Sequence, residues 1–349
     1  MSHFERGEKT VQDIIEIPQY ISTVEKNINR IAEAAQSIIS RRCERLYLTG
    51  CGSSYYSVML ISFPLQISRF VPHTYMLPAS EILMYHHEAL SEKCCILAVS
   101  RSGETAEVLE VMKMAKEKGA YNIIITISKN SRSIEYADRY LYINAGIERG
   151  LVMTKSFYLM SLAGLVLTST IVAGRSYGST ELSKLYEHSI SIIERKNEML
   201  KLAENYIKKG IRRFVFLGSG PAYPIALEAS LKMKESSYIA AEAIHTLEFR
   251  HGHIAAYDKD MLIVIINQNG RSYPYVYKLY EELNAYANVL RLSNRDLDEN
   301  TLPLSQTGYE ELDSLSAIIP LQLIMYGYAV ALGLDIDNPR RLVRVVTHY

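Results

Sequence analysis

Apolar positions in this chain follow two rhythms. Near the start the spacing is three and four: Ile21, Val24, Ile28 and Ile31 predict an amphipathic helix from Gln19 to about Ile39, with Pro18 separating it from an entry helix. Arg45–Thr49 is then a short apolar run that enters Gly50-Cys51-Gly52-Ser53-Ser54 and a helix from Tyr55. His73–Leu77, Cys95–Val99, Asn122–Ile127 and Arg139–Ile143 predict further strands, and Ser100–Thr105 leads from the third strand into a helix ending near Lys118. Residues 155–208 read as long helices, with Thr154 placed to cap the first.

The pattern then restarts. Phe214–Leu217 matches Leu46–Thr49, Leu262–Ile266 matches Cys95–Val99, and Val289–Leu292 matches the Asn122–Ile127 strand, all at offsets close to 167 residues. A constant offset across three strands is the mark of a duplication. Strand-helix alternation forces parallel pairing with right-handed crossovers. The expected fold is therefore two α/β domains, each a doubly wound parallel sheet. The expected division is helices over 1–40, a first domain over 41–175, a helical connection over 176–208, and a second domain with a tail over 209–349.

The second copy carries the densest chemistry. After Phe214–Leu217 comes the turn Gly218-Ser219-Gly220-Pro221, and a helix is predicted from about Tyr223 to Tyr238. Glu228, Lys232 and Glu235 fall on one stripe of it, and Glu248, Arg250, His251 and His253 crowd the end of the segment. From spacing alone the stripe is either a solvated face with a Glu-Lys pair or a reactive one. His251 is either a lone loop histidine or a working one.

In open α/β sheets ligands bind outside the carboxyl ends of the strands. Ser100, Ser102, Gly103 and Thr105 offer a phosphate three hydroxyls, a permissive glycine and a helix N-terminus. Gly52, Ser53 and Ser54 add a neighbouring turn. The same residues also fit an ordinary cap, with Ser102 capping and Thr105 inside the first turn. The loop lacks the P-loop lysine, and Gly50-x-Gly52 lacks the third glycine of the dinucleotide fingerprint, which excludes those two modes.

Composition narrows the field. Charged residues make up 22% and the formal net charge is +0, so nothing points to nucleic acid or an anionic membrane. No signal-like segment and no run of about 18 apolar residues is seen, and no membrane span is expected. Cys43, Cys51, Cys94 and Cys95 fit no zinc pattern, a disulfide framework is not expected at this size and count, and a reducing cytoplasm is. Cys51 has no histidine beside it in sequence to lower its pKa, so a nucleophilic role is not expected. No metal or cofactor is expected.

TGCGSSYYS, SRSGETAE, GLVMTKSF, ALEASLKMKESSYIAAEA, LEFRHGH and the tail NPRRLVRVV together resemble the tandem sugar isomerase (SIS) family, over nearly the whole chain and in order. This group holds the isomerase half of glucosamine-6-phosphate synthase and stand-alone sugar-phosphate deaminases and deglycases. The resemblance implies two flavodoxin-like domains, each a three-layer αβα sandwich. It implies that Glu235 moves a proton between C1 and C2 of an open-chain sugar. It implies also that Lys232 lies near the reacting carbons and that His251 opens the ring from a partner subunit. Gly52, Ser53, Ser54, Ser100, Arg101, Ser102, Gly103 and Thr105, with Leu151 of GLVMTKSF, are implied to bind substrate. The implied partners are a phosphorylated amino sugar and a second copy of the chain, in a homodimer with a shared site.

The departures bear on the reaction. The glutaminase domain of the synthase is absent from this sequence, so glutamine is not expected to serve unaided as its nitrogen source. Arg344 stands where the synthase has a Schiff-base lysine; a guanidinium stays protonated and cannot be that nucleophile, so Arg344 is expected to act in the site as a fixed cation that holds Glu235 or a sugar oxygen. Arg101 replaces a glutamine, and EFRHG is closer to the deaminase and deglycase branch. The expected reaction is glucosamine 6-phosphate to fructose 6-phosphate plus ammonia. An aminotransferase-type isomerase, a fructosamine-6-phosphate deglycase and a non-catalytic sugar-phosphate sensor are the alternatives. Glu235 and His251 favour an enzyme, because a pure binder needs neither.

Overall fold

Ten strands form two sheets, described in a computed structural model over residues 7–68, 73–173 and 177–348. Residues 1–6 of the expected N-terminal helices, the expected boundary at 175–176 and the final Tyr349 lie outside the described residues. The first sheet contains β1 (Arg45–Gly50), β2 (His73–Pro78), β3 (Cys94–Val99), β4 (Tyr121–Thr126) and β5 (Arg139–Tyr142) in the order β2-β1-β3-β4-β5. The second contains β6 (Arg213–Gly218), β7 (Ala241–His245), β8 (Met261–Asn267), β9 (Val289–Ser293) and β10 (Thr301–Pro303) in the order β10-β9-β8-β6-β7. Read from the other edge, this is the same topology.

All pairings are parallel, with Leu46 beside Cys95 in one sheet and Phe214 beside Leu262 in the other. Strands β3, β4 and β8 are buried throughout, because a parallel sheet is covered on both faces. The duplication is therefore real at the level of strand order. β7 and β10 are strands that the apolar pattern did not reveal. The first alternates buried and exposed positions along an edge, and the second is three residues long.

The chain divides into two units. The β1–β5 unit comprises Gln19–Ile147, Lys155–Ser179 and the tail from Val343. One face of its sheet packs Tyr47, Ile96 and Ala98 against Val108, Val111 and Met112 of the helix Ala106–Glu117. Helices Ser53–Ile61, Ile28–Arg41 and Lys155–Ala173 make up its other helical layer. The β6–β10 unit comprises the residues up to Pro18, Glu148–Thr154 and Thr180–Leu342. Val215, Ile263 and Ile265 pack on Val276, Leu279 and Tyr280 of the helix Tyr273–Asn284. Helices Ala222–Ser237, Lys196–Lys208 and Ile318–Ala331 form the other layer, where Tyr328 meets Phe214 edge-on at 5.1 Å.

Four local expectations are corrected. The second helix does not run on to Ile39: the entry helix Glu8–Ile15 gives way at Glu16 to the helix Ile17–Lys26, in which Pro18 is the second residue and its missing N–H costs nothing, and a further break falls at Asn27 before Ile28–Arg41. Cys43 and Cys95 are joined in a disulfide, with Cα atoms 5.9 Å apart. The pairing of β1 with β3 brings together positions 52 residues apart in sequence. Two stretches, Lys155–Val172 and Glu310–Ala331, are long and apolar enough to cross a membrane, contrary to the expectation of none. In each, 89% of the stretch is buried inside the protein. Thr105, not Ser102, occupies the N-cap position of the helix Ala106–Glu117.

Candidate active site

The serine-rich loop lies at the carboxyl end of β3. This is the point where the order reverses between β1 and β3, which suits a ligand. Its hydroxyls shape the loop from within. Ser100 Oγ accepts the Gly103 N–H at 3.0 Å and lies 3.4 Å from Thr105 Oγ1, while Ser102 Oγ accepts the Glu104 N–H at 3.1 Å. Gly103 has φ +65°, and a Cβ there would collide with the hydroxyls of Ser131 and Ser133. Only glycine satisfies both constraints. Glu104 turns away and binds Arg132 through its N–H and Nε, both at 2.7 Å.

Gly52, Ser53 and Ser54 stand at the end of β1 in the same unit. Gly52 takes φ +54° with open space around the position of a Cβ. Ser53 and Ser54 are buried at the start of the helix Ser53–Ile61. Cys51 is half-buried in this turn beside Glu107, and burial pushes its thiol up to about 12. A thiol so raised carries little thiolate at neutral pH.

The tail reaches this loop. Arg101 Nη2 donates to the Arg344 carbonyl at 2.9 Å, and the Ala106 N–H, at the helix N-terminus, donates to the Val346 carbonyl at 3.0 Å. Arg344 thus meets the loop through its backbone, with its side chain exposed.

The remaining candidates, Lys232, Glu235, His251 and Leu151, belong to the β6–β10 unit. The stripe Glu228, Lys232, Glu235 is not a solvated face. Lys232 is 2% exposed and Glu228 0%, and the Lys232 ammonium lies 3.4 Å from Glu228 and 2.5 Å from Glu235. Glu235, at 14%, keeps partial access to solvent. The ammonium thus lies between two carboxylates, of which Glu235 is the more accessible. The helix ends at Tyr238, whose hydroxyl accepts the Arg340 N–H at 2.9 Å while the Arg340 guanidinium stacks on its ring at 3.7 Å.

His251 follows the turn Thr246–Arg250 and lines a cavity of about 530 Å³ with Arg213, Glu242, Phe249 and Met261. His253 opens the next turn and lines the same cavity.

Two carboxylates escaped the sequence reading. In the second copy, Asn267–Gly270 occupies the place of the serine-rich loop. There the Glu310 carboxylate accepts the Arg271 N–H at 3.0 Å and fills the space a Gly270 Cβ would need. An internal carboxylate thus sits beside the loop of the second copy. The second is Asp13, fully buried in the helix Glu8–Ile15. Its one sequence signal is an acid on the apolar side of an amphipathic helix; Glu310 has none.

The model of the SIS domain matches residues 39–170 and 208–289. A glutamine–fructose-6-phosphate aminotransferase (isomerizing) of Aquifex aeolicus is 33% identical over 313 residues, covering 87% of this chain and 52% of that protein. The chain thus spans about half the length of the curated relatives it matches. Among solved structures, the C-terminal domain of the glucosamine-fructose-6-phosphate aminotransferase of Francisella tularensis superposes with a TM-score of 0.78 at 26% identity, covering 95% of this chain and 98% of that one. A glucosamine-6-phosphate deaminase of Thermotoga maritima gives 0.70 at 25% identity, covering 95% and 99%. Two sheets of one topology and a matching family model lead to one conclusion: the chain belongs to the SIS domain family and is homologous to the isomerase half of the aminotransferases.

Proposed function

We propose that this chain is a phosphosugar isomerase-deaminase that converts glucosamine 6-phosphate and water into fructose 6-phosphate and ammonia. The observation that carries the reading is the buried Lys232 ammonium 2.5 Å from the accessible Glu235 carboxylate. In the open-chain sugar, Glu235 takes the proton from C2 and returns it to C1. The aldehyde becomes a hydroxymethyl group and the C–N bond becomes an imine. Lys232 stabilises the negative charge that develops on the C1 oxygen. Water then adds to the C2 imine, the C–N bond breaks, and ammonia leaves with C2 as the ketone. Ser100, Ser102 and Thr105 take the phosphate, with Gly52, Ser53 and Ser54 beside them. We assign ring opening to His251, acting in a homodimer in which each subunit's His251 serves the other's site.

Arg344 in the tail supports hydrolysis over transfer, since a guanidinium does not form a Schiff base. The 33% identity to an aminotransferase supports a second reading, in which the chain runs the reaction toward amination with ammonia supplied to it. Ammonia release from glucosamine 6-phosphate, fructosamine 6-phosphate and other amino-sugar phosphates separates the readings. Release from glucosamine 6-phosphate with formation of fructose 6-phosphate is expected. Net formation of glucosamine 6-phosphate from fructose 6-phosphate and ammonium, with no measurable release, would favour the second. Mixing Glu235→Gln with His251→Asn subunits should restore partial activity if sites are shared, and none if they are not.

A further inference from the structure

We propose that Asp13, in an N-terminal helix outside both sheets, is a positioning residue that sets the backbone of Arg149-Gly150-Leu151 for contact with the sugar. This rests on the proposed function together with the expectation, implied by the family resemblance, that Leu151 binds substrate.

The segment Glu148–Thr154 has no regular structure, so its amides need partners from elsewhere. Asp13 supplies them. Its Oδ2 accepts the Arg149 N–H and the Gly150 N–H, each at 2.7 Å, and the Arg149 guanidinium lies 3.6 Å from Oδ1. One oxygen gripping two successive amides fixes the orientation of both peptide planes leading into Leu151. The carboxylate is fully buried, and a buried charge persists only where its partners are in place. Gly150 is needed for the approach: a Cβ there would come 2.8 Å from Thr10 Oγ1 and 3.3 Å from Asp13 Oδ2.

The grip is anchored at both ends. The helix Glu8–Ile15 is held by Asp337, which accepts the Lys9 N–H at 3.0 Å, the Thr10 N–H at 2.9 Å and the Thr10 hydroxyl at 2.7 Å. The segment itself is closed by Glu148, whose Oε1 accepts the Thr154 N–H at 3.0 Å. Three carboxylates, from three separate parts of the chain, therefore hold seven residues of irregular backbone in one conformation.

The test is calorimetric binding of fructose 6-phosphate to the full chain, with amide exchange at Arg149 and Gly150. Asp13→Asn should speed exchange at both amides and weaken binding about tenfold, within the range of coupling between contacting groups. Leu151→Ala should weaken it similarly, and the double variant should bind no more weakly than Leu151→Ala alone. Gly150→Ala pushes on the segment with Asp13 intact and should reproduce the loss even if Asp13→Asn fails to fold. Additive losses, or faster exchange with unchanged affinity, would overturn the proposal and leave Asp13 a stabilising residue only. A wild-type chain that binds no sugar phosphate would overturn the proposed function as well, an outcome distinct from wild-type binding that the variants leave intact.

Discussion

Lys232 Nζ lies 2.5 Å from Glu235 Oε2, one turn apart on the helix Ala222–Ser237, with the lysine 2% exposed and the glutamate 14%. The pair is asymmetric in access, and the asymmetry separates two kinds of damage. Glu235→Gln keeps the shape and should fold with a melting temperature close to that of wild type, while turnover falls by roughly 10²–10⁴. Lys232→Met leaves Glu228 buried without its cation and should cost roughly 3–5 kcal/mol of stability. Thermal melts and ammonia release measure both. Full turnover by Glu235→Gln would remove that residue from the mechanism.

Gly103→Ala tests the phosphate loop. The added Cβ faces both a positive φ and the hydroxyls of Ser131 and Ser133, so the loop must shift. A stability loss of roughly 1–3 kcal/mol is expected. KM should rise more than kcat falls, because the disturbed loop serves binding. An unchanged KM would move the phosphate elsewhere.

The tail gives a chemical prediction. Arg101 holds the Arg344 carbonyl and Ala106 holds that of Val346. Arg101→Ala should therefore speed amide exchange at Ala106. Borohydride treatment in the presence of fructose 6-phosphate should attach no sugar at position 344, since Arg344 offers no amine. A reducible adduct on Lys232 or Lys155 would raise the aminotransferase reading above the deaminase one.

His188 predicts a pH dependence of stability. Burial pushes its imidazole down from 6.5 to about 4, and its Nε2 has no hydrogen-bond partner among the described residues. Between these values the unfolded chain binds a proton that the folded chain does not, so stability rises with pH from about 4 to 6.5 and then levels. The rise amounts to at most ~3 kcal/mol. His188→Gln should flatten this window in denaturant melts taken across it. An unchanged slope would show that the imidazole titrates alike in both states.

The sequence by itself determined the duplication, the two parallel sheets and the place of the serine-rich loop. Those features are local or periodic: apolar runs too short for helices, glycine turns after them, and a near-constant offset between copies. Its motifs also marked the family. What it could not decide was environment. Glu228 and Lys232 have the spacing of a solvated pair, and only the packing of their helix in the β6–β10 unit removes them from water. Cys43 and Cys95 meet because β1 and β3 are neighbours, a fact of strand order that spacing does not carry. The corresponding loop of the second copy is backed by Glu310, which lies 39 residues beyond the Arg271 amide it accepts. Asp13 grips amides 136 and 137 residues away. Periodicity reports which face of an element is apolar. Which charge ends up beside which amide depends on contacts between distant segments, and those exist only once the chain has folded.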